Sequence, residues 1–289
     1  MEKKYEFTNT DLYFKEMMLH QIRALKDFGN VKKGDLGGWI ESEDNLSQEG
    51  NCWIHDNVKV CNHARVYDNA IIGGNVLITN SAKIHDTAFI YNRNKDRRMV
   101  ICDNAEIYGA TRINGSGHIR DNATIYGFTT ITSRDFSMSE LASIGSDEFY
   151  NKILINVDDL TISKNAKISG YVDIHEHILK VGKNALIKNS NDVIVSGFIG
   201  SRRDRTTFYK GSDGSIYASV GCFNGRLDEL VEAVDNTHKK NYIYRNEYLI
   251  TIDYAKKMFD MYTTAKKVGD EEDVSYEKEV WNYRRILTA

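Results

Sequence analysis

From Cys52 onward the chain returns to a small or short residue every sixth position: Cys52, Val58, Ala64, Ala70, Val76, Ala82 and Ala88. Two residues after each stands an aliphatic one: Ile54, Val60, Val66, Ile72, Ile78, Ile84 and Ile90. A second block follows a polar insertion at 93–98 and sets Met99, Ala105, Thr111, Gly117, Ala123 and Thr129 two residues before Ile101, Ile107, Ile113, Ile119, Ile125 and Ile131. A third, looser block has Leu160/Ile162, Ala166/Ile168 and Val172/Ile174, then Ala185/Ile187 and Val193/Val195. Two core positions spaced by two residues put both side chains on one side of a short strand. Turn formers such as Asp56-Asn57, Asp68-Asn69 and Asp86-Thr87 separate the pairs, and residues of this kind tolerate the backbone of a tight corner.

Three such strands close a triangular coil of 18 residues, and the coils stack through parallel ladders. The pattern resembles the hexapeptide-repeat left-handed β-helix. The expected fold class is mainly β, a single-stranded left-handed parallel β-helix of about six coils, roughly 29 Å long at about 4.8 Å per coil. Open solenoid ends need covering. Residues 1–48 are expected to form a β-rich N-terminal cap, with strands near Tyr5, Phe7 and Leu19 to Leu25. Residues 49–200 form the helix with insertions near 93–98 and 133–159, the latter a lateral excursion without hexads. Residues 201–289 form a C-terminal module. In it, 206–210 and 215–223 flank Gly211-Ser212-Asp213-Gly214 as a hairpin. Asn224 caps a first helix, a second runs over about 245–267, and an acidic run at 269–272 opens a tail.

Composition excludes several classes. The net charge of −3 over 289 residues gives no global field for DNA or RNA. No apolar run is long enough for a membrane span and no leader is recognisable, so a cytoplasmic location is expected. The four cysteines lack CxxC spacing, which argues against a zinc or disulfide framework. Proline is absent.

Outward positions 18 apart fall into columns. Trp53, Ile71 and Phe89 form an apolar one, expected to be an oligomer seam that packs three prisms together, with cover by the chain's own ends as the competing reading. Tyr67–His85, Tyr108–Tyr126 and His55–Gly73–Tyr91 form further columns, read first as ladder stacking. His55, His63, His85, His118, His175 and His177 are candidate general bases for acyl transfer, each weak alone because histidine also fills turns. His175 and His177 lack a third histidine for zinc, so no metal and no cofactor are expected. The densest positive feature is Arg202, Arg203 and Arg205. These arginines suit phosphate, with Tyr209 or Phe208 as a surface for a base to stack on. His238 reads as a favourable charge at a helix C-terminus.

Several motifs point to a family. Gln21-Ile22-Arg23-Ala24-Leu25-Lys26-Asp27-Phe28, Gly34-Asp35-Leu36-Gly37-Gly38-Trp39-Ile40-Glu41-Ser42-Glu43 and Asn45-Leu46-Ser47-Gln48-Glu49-Gly50 resemble the opening of phage- and prophage-encoded hexapeptide-repeat proteins. Val220-Gly221-Cys222-Phe223-Asn224-Gly225 is similar to the module that closes them. The resemblance implies a phage accessory protein in an infected bacterial cytoplasm and carries over no catalytic residue. The leading expectation is a non-enzymatic homotrimer that binds a host defence protein or a small nucleotide and counters antiviral defence. Two others stand beside it: an acyltransferase using a histidine at an inter-protomer crevice, and a structural or scaffolding phage component.

Overall fold

The structure, a computed structural model, describes residues 2–55, 57–146, 148 and 150–269, with side chains as far as 265. It is a parallel β-solenoid of about 8 turns closed by an antiparallel sheet and two helices. Three ladders run along it. In one, Ile54, Ile72, Ile90, Ile113, Ile131, Ile155 and Ile174 stack in register, all buried. In the others Val60, Ile78, Ile101, Ile119, Met138, Ile162 and Val181, and Val66, Ile84, Ile107, Ile125, Ile144, Ile168 and Ile187, do the same. Stacks of mostly branched aliphatic chains fill the interior of the prism.

The corners follow from residue type. Asn62, Asp68, Asn80, Asp86, Asp103 and Asp121 all have φ between 56° and 60°. Their short side chains satisfy local backbone groups, so the left-handed corner is tolerated. Where coils crowd most, glycine is required: at Gly74, φ +79°, a Cβ would lie 2.0 Å from the Asn92 carbonyl on the next turn.

The solenoid is longer than the hexads imply. Residues 133–159 are not an excursion. They carry strands Thr129–Met138, Ser143–Ser146 and Ile153–Ile162, all in the ladders, with Ala142 and Ile144 buried at the usual spacing. The frame is hidden because Phe136 takes a small-residue position at a register shift, and because this turn is longer: Ile144 meets Ile168, whereas Ile107 meets Ile125. At the other end Val193 and Val195 leave the coil and pair antiparallel with Tyr209 and Thr207.

The N-terminal cap is a hairpin of β1 (Tyr5–Phe14) and β2 (Met17–Ala24), followed by β3 (Leu36–Ile40), which already pairs with Lys59 and Val60 as the first rung of its ladder. At the far end strands Val193–Ile199, Asp204–Lys210, Ile216–Val220 and Phe223–Arg226 form the second sheet. Helices α1 (Leu227–Thr237) and α2 (Tyr242–Gly269) pack on it through Leu230, Val234, Ile252, Ala255 and Phe259. The helix α1 is preceded by Arg226, not Asn224. The Asn224 side chain donates to the Tyr209 hydroxyl and accepts from the Lys183 amide. The acidic run from 270 onward lies outside the described residues. Among the described residues no helix is long and apolar enough to cross a membrane.

Candidate functional site

The expected seam is taken apart by the cap. Trp53 is 1% exposed, its indole held edge-on by Phe28 at 5.4 Å. Leu19 and Leu77 are buried together, with Phe14 and Trp39 against them, so β1 and β2 lie over a second face. Ile71 is half-buried and only Phe89 reaches 36% exposure. The column is therefore covered at its lower end by the chain's own N-terminal strands.

The arginine cluster is not one site. Arg202 is exposed, Arg203 meets Glu247 at 3.5 Å, and Arg205 lies over the Phe198 ring and 3.8 Å from Glu176. Tyr209 is fully buried and stacks on Tyr217, so it offers no surface to a base. Burial pushes its phenol up to about 12.

The histidines separate by geometry. His55, His63 and His118 are exposed, and none makes a side-chain hydrogen bond among the described residues. His85 is packed between the rings of Tyr67, 4.6 Å, and Tyr108, 5.1 Å, in a column that continues to Tyr126. It is thus the expected ladder stack, extended across the insertion. Its Nδ1 is within hydrogen-bond reach of Asp86 at 3.2 Å, while its buried Nε2 lies 3.4 Å from Glu106 without hydrogen-bond alignment. His175 Nε2 lies 2.8 Å from Asp173 without hydrogen-bond alignment.

His177 differs. It sits on strand Lys167–Val181 at a prism corner, in register with Asp158 one turn back, between the pairs Val157↔Glu176 and Asp159↔Ile178. Its Nδ1 is 2.9 Å from Asp158 Oδ2, its side chain is 69% exposed, and no described residue holds Nε2. Arg134, one further turn back, approaches the other oxygen of Asp158 at 3.4 Å. The hydrogen bond from His177 and the charge of Arg134 hold the Asp158 carboxyl below its usual range. A carboxylate on Nδ1 selects the tautomer whose Nε2 lone pair is open to solvent. The repeat pattern does not single out Asp158, because it lies in the stretch that shows no hexads. The 19-residue step from Asp158 to His177, close to one coil, is the signal the sequence does carry. A second pair, His20 Nδ1 and Asp11 Oδ1 at 2.7 Å, lies on the hairpin with the imidazole stacked on Phe7.

Coils, corners and ladders of this kind define a hexapeptide-repeat β-helix fold. A stretch of 60 residues, 21% of the chain, is 45% identical to a protein of Escherichia coli (strain K12) named uncharacterized acetyltransferase YdcK. The match covers 17% of that relative's length. No protein-family model matches the chain. The relative overturns the expectation of a non-enzymatic protein that binds a host factor or nucleotide signal to counter defence. A protein named for acetyl transfer, together with the solenoid, fits the acyltransferase alternative better.

Proposed function

We propose that this protein transfers an acyl group, with His177 as general base and Asp158 as its positioning residue. The observation that carries the proposal is the 2.9 Å Asp158–His177 pair on an exposed corner, with Nε2 open. In the proposed step Nε2 takes the proton of an acceptor hydroxyl or amine as that atom attacks the carbonyl carbon of an acyl thioester. The tetrahedral intermediate collapses with cleavage of the carbon–sulfur bond, and the thiolate leaves with the proton from Nε2. Asp158 keeps its charge and steadies the imidazolium between the two transfers. His85 suits the role less, since its Nε2 is buried and tyrosines enclose its ring, which leaves no path for an acceptor.

The proposal includes self-assembly, as a homotrimer in which a neighbouring prism walls the crevice over this corner. It extends to a phage or prophage gene and the bacterial cytoplasm, on the strength of the N-terminal motifs.

The test follows thiol release from acetyl-coenzyme A with a panel of hydroxyl- and amine-bearing acceptors. His177→Asn is expected to lower kcat/KM by about 10²–10⁴-fold. Asp158→Asn should lower kcat and alter the pH profile, and His20→Asn should leave turnover intact. Full activity in His177→Asn, or no thiol release with any acceptor, sinks the assignment.

A further inference from the structure

The insertion at 93–98 builds a second feature on the same prism corner, four turns before His177. The rungs between them are Phe89↔Arg112, Arg112↔Thr130, Thr130↔Leu154 and Leu154↔Asp173. At about 4.8 Å per turn the separation is about 19 Å. The loop is held by side-chain amides. Asn92 Nδ2 donates to the carbonyls of Asn75 and Arg97, at 2.9 and 2.8 Å, and Asn75 Nδ2 donates to the Lys95 carbonyl at 3.1 Å. Asn94 Oδ1 accepts from the amides of Asp96 and Arg97. The backbone of the loop is therefore fixed, and Arg98 Nε donates to Asn75 Oδ1 at 3.1 Å, which holds that guanidinium in place.

Against this loop lies a cavity of about 540 Å³, within the size range of small-molecule sites. Lys59, Arg93, Lys95 and Arg98 line it, with Asn75 and Tyr91 between them, and no carboxylate is among its lining residues. Among the described residues none of these four cations has an ion-pair partner, although the chain carries more acids than bases. Aromatic faces substitute: Phe14 lies under both Lys59, 5.6 Å, and Arg98, 5.5 Å, and Tyr91 under Arg93, 5.8 Å. A solvated charge run would spread or pair its charges, whereas this one converges on a hollow. Burial, and next the charge of Arg98, push the Lys59 amine below its usual value, the state of a cation that lacks its anion.

We propose that this groove is a binding site for an oligophosphate, a ligand with two or more linked phosphates. Four converging cations exceed what a single carboxylate needs, and the Arg93 and Arg98 guanidinium groups can each donate to more than one phosphate oxygen. The site goes beyond the acyl-transfer reading and does not rest on it.

Calorimetric titration with inorganic tripolyphosphate tests it on the full chain. Saturable binding that weakens with added salt is expected, together with a rise in Tm. Lys59→Gln combined with Arg98→Gln should weaken binding by about a hundredfold, at about tenfold for each charge-assisted hydrogen bond to phosphate that is removed. The Tm of the double variant without ligand checks that it folds, and Arg93→Gln, whose side chain makes no hydrogen bond or ion pair among the described residues, should weaken binding about tenfold as an independent variant. Arg202→Gln and His177→Asn should bind as the parent does. Binding unchanged in the double variant, no binding to the parent, or an equal response to sulfate at the same ionic strength overturns the proposal.

Discussion

The rings of Tyr209 and Tyr217 lie nearly parallel, 5.8 Å between centroids and 10° apart, where the C-terminal sheet closes the last turn of the solenoid. The Tyr217 hydroxyl accepts from Asn184 at the final corner, and the Tyr209 hydroxyl accepts from Asn224. The pair is a lid made of aromatic faces with its polar tips satisfied. An unfolded phenol ionises near 10, but Tyr209 is held protonated to about 12. Between those values the folded chain keeps a proton that the unfolded chain has released, so stability falls as pH rises from 10 to 12. The expected loss from this group is about 2–3 kcal/mol. Tyr209→Phe should flatten that part of the curve in urea unfolding at stepped pH. A slope as steep as the parent's would show that the lid does not titrate.

A solenoid-corner glycine, Gly74, and a hairpin glycine, Gly214, predict a contrast between two substitutions with the same backbone strain. Gly214 has φ +77° and open space around it, so Gly214→Ala should cost about 1–2 kcal/mol from conformation alone. Gly74 has φ +79°, but its added Cβ would meet the carbonyl of the next turn. Gly74→Ala should therefore cost about 4 kcal/mol or more, since the ladder must part to admit it. Denaturant melts of the two variants compare them directly, and equal losses would contradict the stacked-corner explanation.

Trp53 provides a test of where its apolar column is covered. Its indole fills the space between Phe28, Ile22 and the Gly37 backbone inside one chain. Trp53→Ala should destabilise by about 3–5 kcal/mol and leave the sedimentation coefficient of the folded protein unchanged. Dissociation of an oligomer without loss of Tm would return Trp53 to an intermolecular contact.

Asn45 is fully buried and each of its four hydrogen-bonding positions is used. Oδ1 accepts from the amides of Glu41 and Ser42, and Nδ2 donates to the carbonyls of Asn62 and Ala64. Asn45→Ala leaves those backbone groups without partners at the join between cap and solenoid, and should cost about 3 kcal/mol. Hydrogen exchange should show the opening confined to the first turns, around Val60 to Val66. Protection lost evenly along all turns would mean that the amide does not hold the join.

The isoleucine stacks and the alanine column Ala64, Ala82, Ala105, Ala123 are legible directly in the chain, because each coil imposes the same packing on the same position. The coil around Phe136 is not. There a bulky residue at a small position and a longer step to the next turn break the frame, while the ladder hydrogen bonds continue regardless of side chain. Asp158 is hidden for that reason, and with it the carboxylate that orients His177 and leaves its Nε2 open.

The six-residue period by itself determined the solenoid, its interior and the residues at its corners, since strand alternation and left-handed turns are local requirements written position by position. Only the tertiary structure decided which outward residues are free. Trp53 and Leu77 lie under the N-terminal strands, Tyr209 turns from the closing sheet onto the last turn, and Lys59 joins Arg98 across turns of unequal length. Those outcomes depend on where distant segments fold back over the prism, and no repeat encodes that.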